Sequence, residues 1–208
     1  MLGAKSVVTD TDELDALNTD WTARWKGHSQ LALFPQSKQE VAAALKYCNE
    51  RSLAVVPQAG RTGLIGGSVP IFDEVILSVK KMNRVIHFDE VNGILSAEAG
   101  IVMDDMAAYV NDHGYDLPYN LGSRGSCCLG GNVATNAGGS KQVKHGSLRS
   151  NIVGIEAVTA NGTILNDMST IRKDNSGYDI KQLFIGSEGT LGVITEAALK
   201  CPPMDPPK

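Results

Sequence analysis

The chain has 208 residues, 42% of them hydrophobic and 20% charged, with a formal net charge of −4 at pH 7. That is room for one large domain or two small lobes around a sizeable core. The acidic balance excludes nucleic acid and anionic membrane surfaces as expected partners, because both are held by clustered Lys and Arg.

In chain order, residues 1–29 read as a lead-in, with an acidic helix candidate at Asp12 to Leu17 followed by the segment Trp21 to Ser29. Asp10, Asp12, Glu13 and Asp15 make this stretch too acidic for a transit peptide. Gln30 to Phe34 is a short apolar strand stopped by Pro35. Ser37 stands as an N-cap with Glu40 as the reciprocal partner of a capping box. The helix that follows, Lys38 to Glu50, places Val41, Ala44, Leu45 and Cys48 on one face. The strand Leu53 to Pro57 then completes a βαβ unit.

From Pro57 to Ser68 the chain reads PQAGRTGLIGGS. Gly60, Gly63, Gly66 and Gly67 allow turns in which successive N–H groups converge into an anion-binding nest. A cofactor pyrophosphate is the leading ligand, and a hairpin or wide turn that uses glycine only for geometry is the alternative. There is no Gly-Lys-Ser/Thr for a Walker A loop and no GxGxxG opening a helix, so an anion here meets a loop and not a helix N-terminus.

Val75 to Val79 and Gly93 to Ala99 read as strands, and Met103 to His113 as a helix ended by Gly114. A second glycine-rich region runs from Gly122 to Gly139, led by Asn120 and Leu121; its Val, Leu and Asn punctuation argues against a flexible linker. Ile152 to Ala160 is a β-branched strand joined by the turn Asn161-Gly162 to Thr163-Ile164-Leu165. A polar loop (Arg172 to Tyr178), a short helix (Asp179 to Phe184), a third glycine turn (Gly186 to Gly192) and the strand Val193 to Leu199 follow. Pro202, Pro203, Pro206 and Pro207 mark a proline-rich edge, set at 204–208. No apolar run approaches the ~20 residues of a membrane span. Cys48, Cys127, Cys128 and Cys201 have neither metal-ligand nor disulfide spacing and read as buried thiols, and the four scattered histidines suggest no metal site.

Taken together, PQAGRTGLIGGSVP, LGSRGSCCLGGNVATNAGG and RKDNSGYDIKQLFIGSEGTLGVIT, in this order, resemble the FAD-binding domain of the flavoprotein dehydrogenases of D-2-hydroxy acids, from about Trp21 to Pro203. The resemblance implies an α+β fold made of two α/β lobes of the vanillyl-alcohol-oxidase (PCMH) type. The FAD-binding domain is expected at 30–203, with lobes at about 30–80 and 83–203 and FAD in the cleft between them. It implies that Gln58, Ala59, Gly60, Arg61, Thr62, Gly63, Gly67 and Ser68 wrap the pyrophosphate. Leu121, Gly122, Ser126, Gly130, Gly131, Asn132, Thr135, Asn136, Gly138 and Gly139 would pass the flavin ring and ribityl chain, Thr135 and Asn136 through their side chains. Glu188, Gly189, Gly192, Val193 and Ile194 would meet the cofactor with backbone groups.

The same resemblance exposes departures. Members of the family usually read Pro-Gln-Gly-Gly-Asn-Thr-Gly, whereas here Ala59 stands at the first Gly and Arg61 at the Asn. A positive φ at Ala59 would cost on the order of 1 kcal/mol. Arg61 is left with two readings, a phosphate partner or a solvated side chain. It also occupies the place of the His that carries covalent flavin in some relatives, so non-covalent FAD is expected. His145, where relatives have Tyr, is assigned a structural or solvent role.

The implied activity is oxidation of a D-2-hydroxy acid, D-2-hydroxyglutarate to 2-oxoglutarate first, by hydride transfer to flavin N5. A D-lactate or glycolate dehydrogenase module and a flavin-free interaction remnant are the alternatives. In the family the substrate-binding groups, the base and a divalent metal such as zinc belong to a following cap domain, so no catalytic or metal residue is named here. An electron acceptor such as electron-transfer flavoprotein, an allowed homodimer and a mitochondrial matrix location (cytoplasmic outside eukaryotes) complete what the resemblance implies.

Overall fold

The computed structural model describes residues 2–3 and 6–205; Pro206, Pro207 and Lys208 of the proline-rich edge lie outside the described residues. The chain forms two sheets. The first has the order β1-β2-β4-β3, built from β1 (Val7–Val8), β2 (Ala32–Leu33), β3 (Val55–Gln58) and β4 (Val75–Ser78). The segment expected as a lead-in contributes to it. β1 pairs antiparallel with β2, and Leu14 of helix α1 (Thr11–Asn18) packs with Ala32 and Ile76. Asp10 caps α1, its carboxylate accepting from the Asp12 and Glu13 amides at 3.0 and 3.1 Å.

Helix α2 (Lys38–Glu50) begins and ends where its pattern says, and it buries Val41, Ala44, Leu45 and Cys48. Its cap differs in detail: Ser37 accepts from the Glu40 amide at 3.3 Å, but the Glu40 carboxylate takes the Gln36 amide, at 2.8 Å, and not that of Ser37. β3 and β4 are adjacent and parallel, in register from Val55↔Val75 to Gln58↔Ser78. A hairpin joins antiparallel strands only, so the glycine loop is a crossover between parallel neighbours, and the hairpin alternative is excluded. β4 also lies between β2 and β3, so the expected βαβ unit spans an intervening strand.

The second sheet is antiparallel, in the order β5-β6-β9-β7-β8. Its strands are β5 (Val85–Asp89), β6 (Ile94–Glu98), β7 (Ile152–Val158), β8 (Ile164–Asp167) and β9 (Val193–Lys200). β5 was not expected from the sequence; it is an edge strand with Ile86 and His87 exposed, so it carries no clean alternation. The helices of this part are α3 (Met103–Asp112), α4 (Leu129–Ala134), α5 (Gln142–His145), α6 (Leu148–Asn151) and α7 (Lys181–Phe184). One buried cluster runs through both sheets, from Leu33 and Leu77 to Leu95, Ile155 and Leu199.

Helix α4 is the least local element. Paired glycines each disfavour a helix by roughly 1 kcal/mol relative to Ala, yet Gly130 and Gly131 sit inside it. Packing supplies the reason. A Cβ on Gly130 would lie 2.6 Å from Ala99 Cβ, and the Gly130 amide donates to the Ala99 carbonyl at 2.7 Å. Close approach to β6 therefore outweighs propensity.

The seam between α2 and the second sheet is ionic. Lys38 Nζ lies 2.5 Å from the buried Glu156 carboxylate, whose other oxygen accepts from Thr195 Oγ1 at 2.8 Å. Glu156 is in register with Glu196, and Glu196 with Glu98, so three carboxylates cross the sheet in a row. Burial, then the neighbouring Glu156, pushes the Glu196 carboxyl up from its ordinary value. Arg84 closes the far end on Glu98 at 2.8 Å.

Candidate cofactor cleft

Where β3 ends, Gln58 is buried, and its amide nitrogen donates to the Leu17 and Ser68 carbonyls at 2.9 and 2.7 Å. That fixes both ends of the glycine loop against α1. Inside the loop, Gly60 lies against the second region: a Cβ there would be 2.3 Å from the Ser126 carbonyl oxygen and 2.7 Å from Cys127 Cα. Gly131 approaches Ala59 to 3.2 Å by the same measure, Gly189 approaches Pro57 to 3.0 Å, and Gly67 faces the Glu188 carboxylate at 3.6 Å. The three glycine-rich regions thus converge on one cleft of about 460 Å³.

From the first region, Gln58, Ala59, Gly60, Arg61, Thr62, Gly63, Gly67 and Ser68 all line the cleft. From the second, Leu121, Gly130, Gly131, Asn132 and Thr135 line it. Glu188, Gly189, Gly192, Val193 and Ile194 form the third wall. Gly122, Ser126, Asn136, Gly138 and Gly139 are outside the lining. Asn136 Oδ1 accepts from the Arg149 amide at 3.0 Å. Gly139, at φ 143°, packs on the Asn120 carbonyl. The Ser126 carbonyl is the backing of Gly60. Thr135, expected to offer its side chain, spends Oγ1 on the Gly131 carbonyl at 2.9 Å.

Sequence reasoning missed Pro57, Leu64, Ile65, Val79 and Cys128 as lining residues, while Ser123, Ala134 and Ala137 line the cleft within the segments 121–126 and 130–139 expected to pass the cofactor. Leu64 and Ile65 had a readable signal, two large apolar side chains between glycines, and they stand 63% and 76% exposed at the rim. Ala59 does not have a positive φ, so the strain that such a conformation would cost does not arise. Arg61 holds the left-handed conformation, at φ 54°, and its Nη1 donates to the Ala16 carbonyl near the end of α1. His145 does not line the cleft, and its carbonyl accepts from Asn151 Nδ2 at 2.9 Å.

The cleft offers two chemically different kinds of polar group. Among the described residues, no protein acceptor takes the backbone N–H groups of residues 60–65, so this wall offers donors suited to an anion. Glu188, itself at φ 52°, also lines the cleft, and its carboxylate, which faces Gly67 of the same loop, suits hydroxyl or amine donors. A ligand with phosphate charge on one part and donor groups on another fits both. Val79, Val193 and Ile194 add apolar lining. Burial pushes the Cys128 thiol at the wall up to about 11, Cys127 adding to the shift, so it stays protonated. Among the described residues, no group of three His, Cys, Asp or Glu side chains is placed to hold a metal ion, and no helix is long and apolar enough to cross a membrane.

The chain is 52% identical over 203 residues to mitochondrial D-2-hydroxyglutarate dehydrogenase of Arabidopsis thaliana and 53% identical over 197 residues to that of Bos taurus, covering 98% and 95% of this chain. It is 48% identical over 188 residues, 90% of its length, to a D-2-hydroxyglutarate–pyruvate transhydrogenase of Saccharomyces cerevisiae. The chain spans only 36 to 38% of the length of these curated relatives. Its fold is that of part of alkyldihydroxyacetonephosphate synthase, with a TM-score of 0.85 at 22% identity, covering 98% of this chain and 39% of that one. The expected mixed helix-and-sheet architecture is therefore the observed one. Residues 29–167, which carry the glycine loop, α4 and four strands of the second sheet, match the family model described as FAD binding domain, and the chain belongs to that family.

Proposed function

We propose that this chain holds non-covalent FAD for a flavin-dependent dehydrogenase of D-2-hydroxy acids, with D-2-hydroxyglutarate as substrate and 2-oxoglutarate as product. The single observation that carries the reading is the convergence of the three glycine-rich regions on one cleft lined by loop amides without a protein acceptor and by the Glu188 carboxylate. The amides of residues 60–63 would hold the pyrophosphate, Glu188 would accept from hydroxyl or amine groups of FAD, and Val193 and Ile194 would supply apolar surface to the ring. When bound, FAD supplies an acceptor for the hydride on C2 of the acid. The cleft residues orient that acceptor and exclude water from it. A grip on the acid's carboxylate and a base for its hydroxyl proton come from protein beyond the matched third of the relatives' length.

Relatives named as mitochondrial support a mitochondrial location, proposed here as the matrix. An electron-transfer flavoprotein as acceptor and a homodimer remain part of this proposal. The experiment is a titration of the 208-residue chain with FAD, read by quenching of flavin fluorescence, followed by dye reduction with D-2-hydroxyglutarate, D-lactate and glycolate. FAD binding without turnover of any acid is the expected result. Positioning is worth about 7–11 kcal/mol and a base a further ~10²–10⁴ in rate, so a chain with neither stays near background. Stereospecific turnover by this chain alone would place the active site within it.

A further inference from the structure

We infer that Arg61 is a positioning residue that holds the cofactor loop through the N-terminal helix and does not grip the cofactor phosphate; the functional half of this statement rests on the FAD reading above. The contacts form a closed circuit. Arg61 Nη1 donates to the Ala16 carbonyl, and Gln58 Nε2 to the Leu17 carbonyl at 2.9 Å, so two loop side chains occupy consecutive carbonyls in the last turn of α1. A cation at a helix C-terminus also meets the negative end of the helix dipole.

From α1 the circuit runs through the next turn. The Asn18 carbonyl accepts from the Gly27 amide at 2.7 Å, and the Asn18 side chain exchanges hydrogen bonds with the Ser29 backbone at 2.8 and 3.0 Å. Asp20 accepts from the Trp25 amide at 2.8 Å, and its own amide donates to the Trp25 carbonyl at 3.1 Å. The Trp25 ring then returns to the loop, where a Cβ on Gly66 would lie 3.1 Å from it. The His28 amide closes the far end on the Pro70 carbonyl at 2.9 Å. Residues 10–29 therefore back the glycine loop at Gln58, Arg61, Gly66 and Pro70, and among the described residues Arg61, as a fastener, is the loop's cationic contact to them. The Nη1 group committed to this contact is taken by the Ala16 carbonyl and is not available to a ligand held by the loop amides. Keeping a long side chain there also accounts for an arginine at φ 54°, a conformation that Asn tolerates more easily.

The test uses the 208-residue chain with Trp21→Phe, which leaves Trp25 as its sole tryptophan. Arg61→Asn removes the fastener while easing the backbone conformation, so loss of folding does not obscure the result; Arg61→Lys returns one donor and the charge. Without ligand, acrylamide quenching of Trp25 should rise at least twofold in Arg61→Asn, at an unchanged far-ultraviolet circular dichroism spectrum, and return toward the parent in Arg61→Lys. FAD affinity, from flavin fluorescence, should fall at least fivefold in Arg61→Asn and recover in Arg61→Lys. Unchanged Trp25 quenching overturns the fastener. Raised quenching with unchanged FAD affinity overturns the positioning role. Lost affinity with a changed salt dependence and an unmoved Trp25 signal means that Arg61 grips the phosphate directly, and the inference is wrong. Failure of the parent chain to bind FAD at all would remove the FAD reading and the positioning role together, while the ligand-free quenching still decides the fastener.

Discussion

Gly60→Ala is the sharpest perturbation of the cleft. Gly60 does not have a positive φ, so an alanine there suffers no backbone strain and the whole effect is steric. Its Cβ would lie 2.3 Å from the Ser126 carbonyl oxygen, 2.7 Å from Cys127 Cα and 3.0 Å from the Cys128 amide nitrogen. All three are backbone atoms, so no rotamer change relieves the overlap and the loop must move off the second region. Overpacking of this kind costs about 1–3 kcal/mol, which for a chain of this size corresponds to roughly 2–12 °C in melting temperature. Gly63→Ala is the internal control, because a Cβ at Gly63 meets nothing within 4 Å and the residue has no positive φ. It should be neutral or raise stability by up to about 1 kcal/mol through the unfolded chain. Thermal unfolding of both variants, together with FAD titration, gives the comparison. A Gly60→Ala chain as stable as Gly63→Ala would refute the claim that the first loop and the second region are packed in contact.

The ionic seam gives a second prediction: Lys38→Met should cost about 3 kcal/mol because it strands the buried Glu156 carboxylate, and Glu156→Gln should cost less, with urea unfolding deciding the order. Glu196 predicts the opposite sign. Its carboxyl is raised in the fold, so ionisation opposes folding once pH rises through the folded value, and Glu196→Gln should raise the melting temperature at pH 7 but not at pH 3. Asp20 is held down to about 2, first by the Thr22 hydroxyl. A lowered carboxylate stabilises above its unfolded value and loses that contribution as pH falls toward the folded one, so Trp25 emission should stay constant from pH 7 to about 4 and shift only toward pH 2. Burial pushes the thiols of Cys128 and Cys201 up to about 11 and about 12, and Cys48 and Cys127 are buried too. All four should resist a thiol reagent at pH 8 until the chain is unfolded; rapid reaction of any one in the folded protein contradicts its placement.

Much of the cleft was legible because its parts are local signals. The glycine loop after an apolar strand, the cap and apolar stripe of α2, the Asn161-Gly162 turn between β7 and β8 and the last strand β9 each follow from residues within a few positions of one another. The resemblance of three short stretches then named the family from the sequence alone. What the tertiary structure decided depends on contacts far apart in the chain. Parallel pairing of β3 with β4 excluded a hairpin, and only pairing reveals it. Packing against Ala99 made α4 helical despite Gly130 and Gly131. The non-glycine residue of the loop that is left-handed is Arg61 and not Ala59, and Arg61 is tied to α1 more than forty residues earlier in the chain. Asn136 was read as a ligand partner, and the fold gives its Oδ1 to the Arg149 amide of α6, a contact that the sequence does not show. A residue's type states which interactions it can make, and only its neighbours in space settle which of them it makes.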